Sequence, residues 1–334
     1  MQRLRANNVP LHWASQFGDD KSARLLVDAG ADVAARDEDG WTPIYFASRD
    51  GHEGVAQVLI SAGADVAKSS SGLPVAIHLP LHRLLRHSGS TPLHWSARGG
   101  HAGVANVLLF AGAAVDKRNR ELLTPLHWAA MFSRRGAVAR MLLDAGADIS
   151  AVDGAGRTSL HMAAQSDGGE VAKILLEAGM GVEVKDNDGL SALVWAGKWD
   201  NDGTLFRMLL DAGADVMSRS VDGRTPLHCT ARGGLGAFTR VLLDAGADVR
   251  ATDNAGRTPL HWAGALRRKE GREEVALMLL DAGVDAAAKD DQGQTAEDVA
   301  RSHGKDQVLA LVSYNVLIEW FLSSQFADKP VNSG

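Results

Sequence analysis

The apolar positions of this chain come in paired clusters separated by polar turns. In Thr124 to Gly146, which reads TPLHWAAMFSRRGAVARMLLDAG, Leu126 heads a first cluster with Trp128, Ala129 and Ala130, and Val138, Met141 and Leu142 form a second. Spacing of apolar side chains by three and four residues, as again in Val171, Leu175 and Leu176, is the period of a helix with one buried face. Polar residues mark the ends. Thr before Pro predicts a start, because the hydroxyl can accept from a free amide of the first turn and Pro has the helical φ preset. Gly146, with Gly179, Gly213, Gly246 and Gly283 in the same place elsewhere, predicts a stop, since glycine turns left-handed without a Cβ penalty. Links such as Asp186-Asn187-Asp188-Gly189 carry turn chemistry. The unit reads as helix, turn, helix and projecting turn.

Copies of this unit begin at Thr42, Thr91, Thr124, Thr158, Ser191, Thr225, Thr258 and Thr295, with Val9 opening a truncated first copy, and most steps are 33 or 34 residues. One such unit cannot bury its own apolar face, so neighbours must stack. Thr91-Pro92-Leu93-His94, Thr124-Pro125-Leu126-His127, Thr225-Pro226-Leu227-His228 and Thr258-Pro259-Leu260-His261 share one motif letter for letter. A period of that length with a TPLHxA core resembles the ankyrin-repeat family over residues 9 to 312. The resemblance implies an all-α fold: an ankyrin-repeat solenoid of stacked helix-turn-helix units with projecting finger turns. It also implies that His12, His94, His127, His161, His228 and His261 are framework residues that support the finger turns. No Cys or carboxylate recurs beside them at ligand spacing, so no metal is expected. Trp13, Trp95, Trp128, Trp195 and Trp262, one position further on, are assigned to packing between stacked helices.

The expected organisation is a lead-in at 1–8, repeats one and two at 9–68, an insertion at 69–90, repeats three to eight at 91–294, a degenerate capping repeat at 295–312 and a tail at 313–334. In the second repeat Ile44-Tyr45 replaces the usual Leu-His. The step from Thr42 to Thr91 is 49 residues, which places a tolerated half-repeat or an interaction loop in the insertion. The linker Lys117 to Leu123 lacks the finger glycine, so its turn is expected to be reshaped. Arg3, Arg5, Asn7 and Asn8 are candidates for the polar face of an N-terminal cap. Val316, Leu317, Ile318, Trp320, Phe321 and Leu322 in the tail are expected to pack on the last repeat or to dock a partner.

Composition narrows the function. A net charge of -6 over 334 residues argues against nucleic acid as the main ligand, which draws on a clear basic footprint. The single cysteine, Cys229, excludes an internal disulfide framework and fits a reducing compartment; it is expected to be buried. No run approaches the roughly 20 apolar residues of a membrane span, and the first residues lack the apolar core of a secretory signal. A cytoplasmic protein is the expectation, with the nucleus as an alternative. There is no nucleophile with a positioned base, no P-loop and no dinucleotide fingerprint, so neither an enzyme nor a cofactor is expected.

What remains is surface. The resemblance implies binding of other proteins by the fingers and the exposed residues of the first helices, which line a concave face. Matched to those variable positions, the expected partner-binding residues are Trp41, Arg98, Met131, Phe132, Arg157, Lys198, Trp199, Arg224, Arg232 and Arg257. Trp41 and Trp199 are expected to be exposed anchors. The later positions lean basic with aromatics, which points to a protein partner with an acidic, partly apolar epitope, bound by a monomer. The function expected is a non-enzymatic interaction scaffold or adaptor. The alternative is a substrate-recruiting accessory subunit of an enzyme assembly, such as a ubiquitin ligase or kinase complex, acting through the tail; a plain spacer ranks third.

Overall fold

The computed structural model describes residues 10–37, 40–69, 89–133, 135–166, 168–199, 203–265 and 271–302. These form 17 helices, nearly all paired as the apolar clusters predict. The first helices of the repeats are Pro10–Phe17, Pro43–Asp50, Pro92–Gly99, Pro125–Phe132, Ser159–Gln165, Ala192–Trp199, Pro226–Gly233, Pro259–Gly264 and Ala296–Ser302. The second helices are Asp20–Asp28, Glu53–Ser61, Ala102–Phe110, Ala137–Asp144, Gly169–Glu177, Thr204–Asp211, Gly236–Asp244 and Arg272–Asp281. Two compact units result, 1–186 and 187–334. Within the first, first helices pack on first helices and second on second; the later unit repeats this arrangement. Leu59, Leu108, Leu142 and Leu175 of one unit, and Leu209, Leu242 and Leu279 of the other, fill the same place in successive second helices and are fully buried.

The bond that joins repeats is made by the motif histidine. His94 Nδ1 accepts from the Thr91 amide (3.1 Å), while its Nε2 lies 3.0 Å from the Leu123 carbonyl, immediately before the next Thr. A carbonyl can only accept and an amide only donate, so the ring is neutral with its proton on Nε2. His127 reaches the Arg157 carbonyl in the same way, His228 that of Arg257 and His261 that of Gln294. The residue supports the following finger, as the resemblance implies, by spanning about 30 positions. At the helix start the Thr hydroxyl accepts from the backbone amide of its motif histidine, as expected, while the ring accepts the Thr amide in return, a reciprocal cap formed in five copies.

Two irregularities of sequence resolve into the regular pattern. Tyr45, at the histidine position, donates its hydroxyl to the Ser90 carbonyl just before Thr91. The second and third repeats are therefore joined by an equivalent bond across the long insertion. The linker at Lys117 to Leu123 is not reshaped, contrary to the sequence expectation. Asn119 Oδ1 accepts from the Glu121 and Leu123 amides, as Asp153 accepts from Ala155 and Arg157. Leu122 then takes φ +63° where the equivalent finger residues Gly156 and Gly189 take +75° and +73°. The side-chain amide oxygen replaces the carboxylate, and the turn forces leucine into the left-handed region.

The described outer face of the first repeat is apolar. Phe17 (68%) and Leu25 (70%) are exposed, and Leu26 is half-buried where every later counterpart is fully covered. The expected capping residues Arg3, Arg5, Asn7 and Asn8 lie outside the described residues, as do the core of the insertion and the tail.

Candidate protein-interaction surfaces

Side chains at the fifth and eighth positions of a repeat lie one helical turn apart on the first helix, so they can touch. In the second repeat the eighth residue, Arg49, lays its guanidinium 5.0 Å from the Phe46 ring and 5.7 Å from Trp41, and it is paired with Asp50. In the third, Arg98 sits between Trp95 (5.3 Å) and Phe132 of the next repeat (5.0 Å). Trp41, Trp95 and Trp128 meet edge to face or tilted, with centroids 5.5 and 5.4 Å apart. A guanidinium on an aromatic face is held by the ring's quadrupole, which fixes a long side chain at a surface where it would otherwise pay rotamer entropy on binding.

The expected site residues of unit one, Trp41, Arg98, Met131, Phe132 and Arg157, are distributed along this strip. Trp41 is half-buried within the aromatic cluster, so it is not the free-standing anchor expected from its place on a finger. The reason is tertiary: Phe46 and Trp95 from two repeats close around it. Phe132 is 39% exposed and Met131 half-buried. Arg157 is committed to Asp153 through a 2.6 Å ion pair and lies mostly covered.

In unit two, Trp262 carries three cations. The guanidinium carbons of Arg257, Arg232 and Arg224 lie 4.3, 5.2 and 5.4 Å from its ring. Its indole N–H donates to Asp253, which also receives the Arg257 side chain. Burial would raise the Asp253 carboxyl, but the bonds from Arg257, Ala255 and Trp262 outweigh it and hold the group below the usual carboxylate range. Arg224 pairs with Asp222. Lys198 stands 5.1 Å from the Trp199 ring, which is 43% exposed as expected. Cys229, expected to be buried, is half-buried, and that burial pushes the thiol up against the opposing pull of Arg224, Arg232 and Lys198.

By register alone Trp262 groups with Trp95 and Trp128 as a packing residue. Those two are buried, whereas Trp262 is half-exposed. A signal was present in the arginines at the position before the Thr and at the eighth position, Arg224, Arg232 and Arg257, which a stacked array brings to one ring.

Burial pushes the framework histidines down: His94 and His228 fall to about 4, and His127 and His261 move the same way, with the bond to the next carbonyl opposing only in part. They are neutral structural groups at physiological pH. Among the described residues no group of three or more His, Cys, Asp or Glu is placed to hold a metal ion. Likewise among them, no helix is long and apolar enough to cross a membrane.

Family models for ankyrin repeats match residues 75–153, 150–220 and 193–290 in three-copy form, and residues 11–60 in another form. Among solved structures, the chain is similar to the ankyrin repeat domain of Bcl-3, described as a unique member of the IkappaB protein family. Identity is 29%, the match covers 68% of this chain and 99% of that one, and the TM-score is 0.56. No match was found among curated proteins. Repeat period, helix pairing, histidine ties and family models agree: this chain belongs to the ankyrin-repeat family, whose modules characteristically bind proteins and carry no catalytic machinery.

Proposed function

We propose that this protein is a non-enzymatic scaffold or adaptor that binds a partner protein with an acidic, partly apolar epitope through its fingers and first helices. The observation that carries the reading is the pairing of guanidinium groups with aromatic rings on those elements in each unit, among which Phe132 and Trp262 reach the surface. Arg98 lies between Trp95 and Phe132, and Arg224, Arg232 and Arg257 surround Trp262. Such pairs offer flat apolar area beside fixed positive charge, the composition enriched where interfaces carry their binding energy. The net charge of the chain is negative, so these cations are a local feature and not a general basic surface. Arg157, Arg224 and Arg257 contribute less charge than Arg232, since they are already met by Asp153, Asp222 and Asp253.

The test is quantitative capture from native lysate at low and high salt, read by mass spectrometry, with Arg98→Glu/Phe132→Ala and Arg224→Glu/Arg232→Glu beside the parent chain. Partners held by these surfaces are lost on charge reversal and weakened by salt. Undiminished capture by both double variants at low salt overturns the reading.

A further inference from the structure

The finger aspartates before Thr158 and Thr258 use both of their carboxylate oxygens. Asp153 Oδ1 accepts from the Ala155 and Arg157 amides, and its Oδ2 receives the Arg157 guanidinium at 2.6 Å. Asp253 Oδ2 likewise lies 2.9 Å from Arg257 Nη2 and 2.9 Å from the Trp262 indole nitrogen. In the last finger Asp290 Oδ1 again accepts two amides, those of Gln292 and Gln294, each at 2.9 Å. Gln294, however, stands where Arg157 and Arg257 stand, and Val299 takes the fifth position that Trp262 holds one repeat earlier. Both donors to the second oxygen are gone. Among the described residues no hydrogen bond or ion pair reaches Asp290 Oδ2, although the residue is half-buried.

A cavity of about 290 Å³ opens at this place. Trp262, Ala265 and Val299 give it apolar walls, and Asp290, Asp291 and Gln294 line it with polar groups. Arg257 is the one cation among its described lining residues, and that charge is already met by Asp253. Two carboxylates therefore stand against a single neutralised guanidinium, which favours a cationic occupant. The volume lies at the lower end of the range of ligand pockets, room for one side chain and not for a larger molecule.

From this we infer that the cavity beside Asp290 receives an arginine side chain of a partner protein. The guanidinium meets Asp290 Oδ2 as Arg157 and Arg257 meet the same oxygen of their own fingers, and the stem lies against Val299 and Ala265 beside Trp262. Arginine is favoured over lysine because its planar fork matches a carboxylate and is more weakly hydrated than an ammonium, so it loses less on entering a partly apolar cavity. The inference goes beyond the proposed function. It adds a basic feature to the epitope, and it stands on the last finger and not on Arg98, Arg224 or Arg232.

The probe is N-acetyl-arginine N-methylamide, which carries no acidic group and so is indifferent to the acidic-epitope reading. It is titrated into the isotope-labelled intact chain at constant ionic strength while the Trp262 indole N–H is followed by NMR, the signal being identified by its loss in Trp262→Phe. That signal should shift saturably, and the lysine and citrulline counterparts should bind at least about fivefold more weakly. Asp290→Asn removes the charge and keeps the turn, as Asn119 does in the finger before Thr124, and should weaken binding at least about fivefold. Gln294→Arg should fill the cavity from within and abolish the response. Helical circular dichroism checks both variants, and Gln294→Arg, which alters no finger hydrogen bond, decides the matter where Asp290→Asn fails to fold. An absent or unsaturable shift, citrulline or lysine bound as tightly as arginine, or unchanged affinity in either folded variant overturns the inference.

Discussion

At the scale of single residues, the finger turn tests how strongly a repeat imposes its backbone. Leu122 is the one described non-glycine residue with positive φ, and it is 44% exposed. A left-handed leucine costs about 1–2 kcal/mol, while glycine gives back part of that through its freer unfolded chain. Leu122→Gly should therefore raise stability by about 0.5–1 kcal/mol, read as a higher urea midpoint with unchanged slope. The reverse change depends on the neighbour. At Gly293 (φ +76°) an added Cβ meets nothing within 4 Å, so Gly293→Ala carries conformational strain alone. At Gly189 (φ +73°) it would stand 2.7 Å from the Val221 amide nitrogen of the next finger. Gly189→Ala should consequently destabilise clearly more than Gly293→Ala, and equal losses would contradict this account of finger stacking.

The histidines add a pH dependence whose sign follows from their burial. Unfolded, each titrates near 6.5; folded, His94 and His228 titrate near 4. The unfolded chain therefore binds protons first as the pH falls. Stability is fully present above about 6.5 and is lost progressively towards about 4, as each ring must give up its Nδ1 acceptor to become charged. Denaturant midpoints measured across that window should decline. His228→Ala should cost about 2–3 kcal/mol at neutral pH by leaving the Thr225 amide and the Arg257 carbonyl unmet, and it should also flatten the decline.

At the scale of elements, what stabilises a helix pair is the pair beside it. Leu142 and Leu108 are fully covered by their neighbours, whereas Leu26 occupies the same place in a helix that lacks a described neighbour on one side. Leu142→Ala should cost about 3–4 kcal/mol and Leu26→Ala about half that, because the half-exposed site loses less buried area and leaves a smaller cavity. Equal costs would mean that the first repeat is covered as fully as the inner ones. The first helices carry the surface chemistry for a related reason. Their small residues, such as Ala97, Ala129, Ala130 and Ala163, are buried and let adjacent helices approach, which brings the fifth and eighth positions of neighbouring repeats within ring-stacking distance.

At the scale of the whole molecule, each repeat within a unit touches chiefly its immediate neighbours, so stability is close to a sum of repeat and interface contributions. Amides of Asp20–Asp28 should exchange with solvent faster than those of Ala137–Asp144, reporting local opening of a repeat that has a described neighbour on one side alone. Charge follows a similarly local rule. A chain with net charge -6 gathers Arg98, Arg224, Arg232 and Arg257 on aromatic faces, so a distribution, and not a total, carries the proposed recognition.

The sequence by itself determined the architecture, because the period, the Thr-Pro starts and the glycine stops act within one repeat or between adjacent ones. It also assigned the candidate surface to fingers and first helices, since these follow from that period. Tertiary structure decided what no local pattern encodes. Tyr45 replaces a histidine because its hydroxyl reaches the carbonyl that the ring would have reached, and Asn119 holds Leu122 in a glycine conformation because the turn's hydrogen bonds outweigh the strain. Trp41 is half-covered and Trp262 collects three guanidiniums, because each outcome depends on distances between side chains contributed by different repeats.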